Sequence, residues 1–178
     1  CALPIFNVEI GVGMTIDTWI GAQYWAEPSI IDRSLTLESL IARCEVVTVG
    51  VDGGGLDDLL GVAVIGRERG TRRWLIWTHA WAQPEVLERR KEIVPMLRDY
   101  EADGDLTICT SAGQGHEEVA ALVERLRDAG LFPEENAVGL DPGQVAPILD
   151  ALAARELEGP LLCGIRQGGG LRGPIWTM

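Results

Sequence analysis

The chain lacks the features that mark secreted, membrane-spanning and zinc-thiolate proteins. Its four cysteines, Cys1, Cys44, Cys109 and Cys163, show no CxxC spacing, which indicates free thiols in a reducing compartment rather than a disulfide framework or a zinc site. No apolar run approaches the roughly 18 residues that a membrane span requires, and the N-terminus carries no signal-peptide pattern. We therefore expect a soluble, intracellular protein.

Positive charge is also scarce. The 178 residues include 27 Asp and Glu against 15 Lys and Arg, so the formal net charge is −12. Such a chain repels nucleic acids and anionic membranes at long range, and a polyanionic partner would need local arginines or bound cations. The length and the ordinary share of hydrophobic residues, 47%, suit one globular domain.

Several catalytic signatures are missing as well. No GxxxxGK[ST] loop occurs, so this chain contains no P-loop ATPase. The match of residues 168–173, "GGGLRG", to GxGxxG is weak because no helix can follow it. His79 and His116 have no partner at metal-ligand spacing, and "HEEVA" is not HExxH; His116 fits a helix N-terminus better.

Three strands are predicted first. Residues 46–51, 61–66 and 74–79 are apolar, and a glycine-rich turn and a tight basic loop join them, which predicts an antiparallel meander. Residues 1–45 are predicted to form a lead-in segment with a short helix over residues 35–44, capped by Thr36. Residues 46–178 form the main domain, which looks truncated at its C-terminus.

Helices and strands alternate after the meander. Residues 84–104 have a helical pattern that Pro95 should kink or split, and helices are also predicted over residues 116–130 and 142–156. Short strands are predicted at "DLTIC", "AVGLD" and "LLCGI". Because parallel strands need crossover helices, we expect an α/β fold with a mixed sheet and helices on both faces. A ribonuclease H-like sheet has this order.

Asp52 stands at the end of the first apolar strand, in "VTVGVDGGGLDDLLGVAVIG". An Asp-Gly pair is a strong signal for a hairpin turn, and Asp57 and Asp58 can cap such a turn. The alternative is functional, since sites in open α/β sheets gather at the carboxyl ends of parallel strands. The stretch alone leaves both interpretations open.

Asp141, in "AVGLDPGQVAPILDAL", also ends an apolar strand. It suits a helix N-cap, with Pro142 at the first helical position. However, Asp52 and Asp141 are each the first charged residue after a buried strand, and in this topology the two strands can be neighbours. Two carboxylates there would suit a hard cation such as Mg²⁺.

The longest motifs resemble a known family. "GVDGGGLDDLLGVAVIGR" and "WTHAWAQPEVLERRK" are its most specific parts, and the similarity runs from Asn7 to the end of the chain. The chain resembles the C-terminal nuclease domain of tailed-phage or prophage terminase large subunits. The resemblance implies a ribonuclease H-like endonuclease that cuts concatemeric double-stranded viral DNA during packaging, in the cytoplasm of the bacterial host.

The resemblance also implies a site and partners. Asp52 and Asp141 would be the catalytic carboxylates and the ligands of Mg²⁺ or Mn²⁺, with two ions about 4 Å apart and Asp57 as an extra ligand. A third family aspartate lies beyond the last strand, where this chain has no counterpart, so the piece is expected to be incomplete as a nuclease. The terminase ATPase domain, the small terminase subunit and the portal would be its partners.

The loop between the second and third strands is the candidate DNA contact. Its four arginines would hold phosphates without reading sequence, although a solvated hairpin with Glu68 pairing one arginine explains the same pattern. The three tryptophans nearby are predicted to lie in the core. The arginines are Arg67, Arg69, Arg72 and Arg73, and the tryptophans are Trp74, Trp77 and Trp81.

Two rival functions remain open. Actin-like sugar kinases also carry "GVDGGG", but here the turn continues with Asp57 and Asp58, which place negative charge where an ATP phosphate would bind. The second rival is a catalytically incomplete domain that only docks other packaging proteins. The missing third carboxylate favours that rival, and the presence of Asp52 and Asp141 opposes it.

Overall fold

A mixed six-stranded sheet organises the part of the chain that the computed structural model describes, residues 27, 29–53, 58–143 and 145–165. The chain divides into two compact units, Cys1–Leu35 and Thr36–Met178, and the sheet belongs to the second. Most of the predicted lead-in, residues 1–26 and 28, lies outside the described residues. The strands are β1 (Cys44–Gly53), β2 (Leu59–Glu68), β3 (Trp74–Ala82), β4 (Leu106–Ile108), β5 (Val138–Leu140) and β6 (Leu162–Gly164).

The strand order in the sheet is β4-β3-β2-β1-β5-β6. The pairs β1/β2 and β2/β3 are antiparallel, whereas β1/β5, β3/β4 and β5/β6 are parallel. This confirms the predicted fold class, a meander followed by parallel αβ units. Because only β2 runs the other way, the carboxyl ends of five strands meet at one edge of the sheet, and this edge is the expected place for a site.

Each strand of the meander is longer than the apolar runs predicted. The β1–β2 ladder continues to the pair Gly53 and Leu60, and the β2–β3 ladder to the pair Leu59 and Ala82. Leu60 and Ala82 are fully buried there. Tertiary packing therefore extends the strands past the apolar runs from which they were predicted. The extension places Asp52 inside β1 rather than after it.

Five α-helices accompany the sheet in the described part of the chain, and three begin or end as their sequence signals predict. The Thr36 hydroxyl accepts a hydrogen bond from the Ser39 N–H at 3.1 Å and so caps the first helix. The predicted split near Pro95 occurs, with a 3₁₀ turn at Lys91–Ile93 between two helices, and Pro95 lies in the first turn of the second, where it removes no helical hydrogen bond. The helices are α1 (Leu37–Arg43), α2 (Pro84–Arg89), α3 (Val94–Asp103), α4 (Gln114–Asp128) and α5 (Ala146–Ala153).

The two faces of the sheet are covered to different extents. On the first face, Val49, Val64 and Trp81 are buried, and α4 packs so closely that a Cβ on Gly115 would lie 3.0 Å from the Trp81 side chain. On the second face, α2 and α3 cover only one corner, around the cluster of Ala82, Val86, Leu97 and Leu106. Elsewhere on this face Asp52, Ile65 and Ile76 are exposed, whereas Ile165 lies against Gly139.

Two sequence predictions about the general class of the protein can be compared with the described residues. Among them, no helix has both the length and the apolar character needed to cross a bilayer. Cys44, Cys109 and Cys163 are free thiols, as the absence of paired spacing predicts.

Candidate metal centre

Asp52 lies within the β1–β2 ladder and not in the turn. It pairs with Gly61, and the next residue, Gly53, pairs with Leu60. The hairpin loop itself falls mainly on residues 54–57, outside the described residues, and so does Asp57. Asp52 is exposed although its strand neighbour Val51 is buried. Because Asp52 lies in the ladder, turn geometry does not explain why a carboxylate stands at this position.

Asp141 follows β5 and continues the pairing of β5 with β1. Its N–H donates to the carbonyl oxygen of Val51 at 3.2 Å, and its Oδ1 accepts from the Gly143 N–H at 3.0 Å. The helix that follows begins only at Ala146, with Val145 as its N-cap. The N-cap interpretation of Asp141 is therefore wrong, because its side chain closes a local turn with Gly143 and the helix starts five residues after Asp141.

The register of β1 and β5 puts the two aspartates side by side. Gly50 and Gly139 are paired, and each lies two residues before an aspartate. Because side chains alternate between the faces of a sheet, Asp52 and Asp141 both project on the second face, at the same edge. The sheet thus brings together the two carboxylates that the sequence singles out.

The carboxyl groups of Asp52 and Asp141 interact directly. Partial burial raises the pKa of Asp52 above its usual value, and a hydrogen bond and charge repulsion from Asp141 raise it further. The charge of Asp58 acts in the same direction, while the Gly53 N–H opposes it. A carboxyl group whose nearest charged neighbours are carboxylates favours a shared proton or a bound cation.

Asp58 is the third acidic residue beside this pair. Its Oδ1 accepts from the Leu59 N–H at 2.9 Å, and its Oδ2 lies 3.8 Å from the point where a Cβ of residue 53 would stand. The sequence offers Asp57 and Asp58 as turn caps, and it ranks Asp57 as the extra ligand. Asp58 does cap the backbone, and its charge also acts on Asp52. The sequence signal for an acidic residue beside Asp52 is the pair of adjacent aspartates, Asp57 and Asp58, after the glycine run.

The donor chemistry of the pair suits a hard cation, since Asp52 and Asp141 offer only carboxylate oxygens. In the described part of the chain, however, no group of three or more His, Cys, Asp or Glu side chains is arranged to hold a metal ion. The described residues therefore offer two adjacent carboxylates at this edge. Further ligands would come from water or from a phosphate.

The four loop arginines lie at the opposite end of the sheet from the aspartates. From Gly61, the partner of Asp52, β2 runs six residues to Arg67, which is about 20 Å along a strand. Arg67 forms an ion pair with Glu45 at 2.6 Å, and Arg69 donates to the Ala42 carbonyl oxygen at 3.1 Å. These arginines are too far from Asp52 and Asp141 to contact a group bound at the acidic pair.

The prediction that the tryptophans lie in the core is confirmed for Trp81 and wrong for Trp74. Trp81 is buried and donates to Glu118 at 2.6 Å. Trp77 stacks on His79 with the ring centroids 5.7 Å apart. Trp74 is 65% exposed, so its predicted place in the core is wrong, because it lies on the second face beyond the corner that α2 and α3 cover. His116 lies in the first turn of α4, as predicted.

Comparisons with known proteins place the fold. The crystal structure of the large terminase of bacteriophage HK97 superposes with a TM-score of 0.53 at 19% sequence identity. The match covers 82% of this chain and 30% of that chain. No protein-family model matches, and no curated protein matches. The chain therefore has a terminase-like α/β fold, and its strand order is consistent with the ribonuclease H-like arrangement expected from the sequence.

Proposed function

We propose that the chain is a metal-dependent endonuclease domain of a viral DNA-packaging terminase, which hydrolyses phosphodiester bonds of concatemeric double-stranded DNA. One observation carries the proposal: Asp52 and Asp141 directly follow the paired residues Val51 and Leu140, and both project on the second face of the sheet, where Asp52 is exposed. The terminase-like fold supports it, because the same pair in an unrelated fold would suggest a cation site without suggesting a substrate.

Asp52 and Asp141 would hold the divalent ions, Mg²⁺ or Mn²⁺, with Asp58 beside them. Two bound ions would activate water and stabilise the leaving 3′ oxygen. The pair itself fixes the position of the scissile phosphate relative to the sheet edge. The space beside it is open: Gly50 has no side chain, and a Cβ there would meet nothing within 4 Å. A DNA backbone can therefore approach the carboxylates without contacting side chains on β1.

Charge sets a second requirement for the proposed substrate. With a formal net charge of −12, the chain repels DNA unless cations occupy the acidic pair. Arg67, Arg69, Arg72 and Arg73 would contact phosphates only at the far end of the sheet, away from the scissile bond and in competition with any other acidic partner. Contacts of that kind position a duplex and carry no sequence information, so we expect cleavage with little sequence preference from this chain.

The wider setting follows from the same proposal. A terminase nuclease domain works beside an ATPase domain, which this chain does not contain, and with the small terminase subunit and the portal. The site of action would be the cytoplasm of the infected bacterium. These partners are proposed from the fold and from the sequence resemblance together.

Plasmid cleavage with Mn²⁺ or Mg²⁺ tests the proposal. Supercoiled DNA is incubated with the parent chain and with Asp52→Asn, Asp141→Asn and Asp150→Asn, the last as a matched control because Asp150 is an exposed carboxylate on α5. We expect both site variants to lose cleavage by about a hundredfold or more, as for other residues that act only in the transition state. Asp150→Asn should cut like the parent.

Calorimetric titration with Mn²⁺ gives a second readout that needs no DNA. Binding that is lost in Asp52→Asn and Asp141→Asn, but kept in Asp150→Asn, supports the metal centre. Cleavage by Asp52→Asn at the parent rate would falsify the nuclease proposal.

A docking domain without cleavage activity is the second candidate. The observation in its favour is that no third ligand joins the acidic pair in the described residues. It predicts Mn²⁺ binding with the same dependence on Asp52 and Asp141 but no nicking of plasmid by this chain under any metal. An extended version of the chain that then cuts would return the assignment to the nuclease.

A further inference from the structure

Strand β3 leaves most of its outer edge without a partner. β4 pairs only with Ala80, Trp81 and Ala82. Along residues 74–79 the side of β3 away from β2 has no strand beside it in the described part of the chain. Alternate N–H and C=O groups of this stretch therefore face outward and are available for pairing.

β3 carries none of the residues that usually protect an edge against strand pairing. Proteins guard open edges with proline, with charged side chains or with very short strands. β3 has nine residues, "WLIWTHAWA", without proline and without Lys, Arg, Asp or Glu. An edge of this length and composition is a ready partner for an extended chain.

Exposed apolar side chains accompany the edge on the second face of the sheet. Trp74 is 65% exposed, Ile76 is 58% exposed, and Ile65, which is paired with Ile76 across β2, is 37% exposed. Single exposed apolar residues are ordinary on a protein surface, but three adjacent large ones indicate a binding surface. We call Ile65, Trp74 and Ile76, together with Arg72 and Arg73, the β3 edge patch.

The charge beside the patch is opposite to that of the protein. The loop "RERGTRR" contains four arginines and one glutamate, 4 − 1 = +3, in a chain of net charge −12. Arg67 and Arg69 are engaged with Glu45 and with the Ala42 carbonyl oxygen. The side chains of Arg72 and Arg73 form no ion pair or hydrogen bond with the described residues. They are therefore available to carboxylates of a partner.

We propose that the β3 edge patch binds an extended, acidic segment of a partner protein, which adds to the sheet as a strand beside β3. Main-chain hydrogen bonds to β3 would supply affinity, as in other cases of strand addition. Apolar side chains at alternate positions of the segment would cover Trp74 and Ile76. Its carboxylates would meet Arg72 and Arg73.

Two other occupants fit the patch less well. DNA would satisfy the arginines, but its backbone offers nothing apolar to Ile65 and Ile76 and nothing that pairs with a strand edge. A second copy of the chain could pair edge to edge, but two copies of net charge −12 repel each other. The acidic protein segment satisfies the edge, the apolar side chains and the arginines together.

The test uses the full 178-residue chain and a labelled synthetic peptide of about nine residues, in which glutamate alternates with valine and phenylalanine. Binding is followed by fluorescence anisotropy, and protection of the amides of residues 74–79 by hydrogen exchange. Control peptides replace glutamate by lysine, or carry N-methyl groups on alternate residues. We expect the acidic peptide to bind and to protect these amides, and both controls to bind at least about tenfold more weakly.

Protein variants separate the patch from general stickiness. Trp74→Ser and the double change Arg72→Glu with Arg73→Glu should each weaken binding about tenfold or more. Tyr100→Ser is the matched control, since Tyr100 is 44% exposed on α3, away from the patch, and it should bind as the parent does. Circular dichroism verifies that each variant is folded.

Three results would overturn the inference. The first is no binding of the acidic peptide, or equal binding of the lysine peptide. The second is protection of the same amides by a short DNA duplex, which would make nucleic acid the occupant. The third is self-association of the parent in sedimentation that Trp74→Ser abolishes, which would make a second copy the occupant. None of these results bears on cleavage at Asp52 and Asp141.

Discussion

The two ends of the sheet shift the pKa of an acidic residue in opposite directions. At the carboxyl-end edge, partial burial and the neighbouring Asp141 raise the pKa of Asp52. At the other end, Glu68 accepts hydrogen bonds from Thr71 and Arg43, which lower its pKa. Both residues are carboxylates near the end of a long strand of the same hairpin. Their pKa shifts differ in sign because burial and two carboxylates act on Asp52, whereas a hydroxyl and a guanidinium group donate hydrogen bonds to Glu68.

This difference separates a structural carboxylate from a functional one. Glu68 joins the β2–β3 loop to α1 through Arg43, with N–O distances of 2.8 Å, so its charge is satisfied within the protein. Asp52 faces like charge, which costs stability unless something outside the described residues compensates. A pair of this kind is expected where a protein binds a cation, and its position at adjacent strand ends makes it the proposed metal centre.

The largest effect should come from a pair of glycines, one at each end. Gly53 and Gly70 have similar positive φ values, 76° and 78°, but a Cβ on Gly53 would collide with the Leu59 carbonyl oxygen, whereas one on Gly70 would meet nothing within 4 Å. We expect Gly53→Ala to lower the free energy of unfolding by more than about 3 kcal/mol, and Gly70→Ala by about 1 kcal/mol. Urea unfolding measures both.

The two glycine variants also test how the acidic pair is held. Because the collision displaces the hairpin that carries Asp52, Gly53→Ala should also weaken Mn²⁺ binding, and Gly70→Ala should not. Equal costs in the two variants would show that the hairpin loop absorbs the added methyl group, and that the loop does not fix the aspartate.

Divalent ions should give the next largest effect, and only at the acidic end. At about ten times its dissociation constant, a bound ion stabilises the folded chain by about 1.4 kcal/mol. We expect Mg²⁺ or Mn²⁺ to raise the Tm of the parent and of Arg72→Ala. The double variant Asp52→Asn with Asp141→Asn should show no rise. A rise of the same size in that variant would place the ion elsewhere.

Removing one charge from the acidic pair should stabilise the metal-free protein. Asp52→Asn relieves the repulsion from Asp141 and Asp58, and the gain at neutral pH should be below about 1 kcal/mol because the side chain is largely exposed and solvent screens it. Asp150→Asn should leave the Tm unchanged. A loss of stability in Asp52→Asn would mean that its charge is compensated in the folded chain.

The dependence on pH should have opposite signs at the two ends. The pKa of Asp52 is raised above 3.8, so the folded state binds its proton more tightly and the stability it contributes falls as pH rises from about 3.8. The pKa of Glu68 is lowered below 4.5, so its contribution is present above 4.5 and is lost as pH falls. Unfolding free energies from roughly pH 3 to 7 for the parent, Asp52→Asn and Glu68→Gln measure both slopes. Slopes of the same sign would remove the contrast between the ends.

The element order was predictable because each strand and helix carried its own local pattern. Apolar runs, turn residues and the need for crossover helices were enough to predict the meander and the αβ units. The pairing of Asp52 with Asp141 was also predictable, since it needs only two strands to be parallel neighbours. The sequence resemblance to terminase nucleases added the expectation of metal and DNA.

Other features depended on contacts that the sequence does not display. The start of α5 at Ala146, and hence the loss of the N-cap role for Asp141, depends on how the chain turns after β5. Trp74 was predicted to lie in the core because aromatic side chains commonly pack inside proteins, yet its side chain is 65% exposed. The distance between the arginine loop and the aspartates depends on the strand directions, which put the β2–β3 loop and Asp52 at opposite ends of β2.

The hydrogen bond from the Asp141 N–H to the Val51 carbonyl oxygen has a consequence for how the centre tolerates change. Because this bond continues the β1–β5 ladder, backbone pairing sets the spacing of the two residues' backbones, at about the 4.8 Å between adjacent strands, and so holds their carboxylates together. Register changes in whole residues, and a slip of one residue would turn Asp141 to the covered face. The centre is thus either complete or absent, and substitutions elsewhere that preserve this ladder should leave its geometry intact.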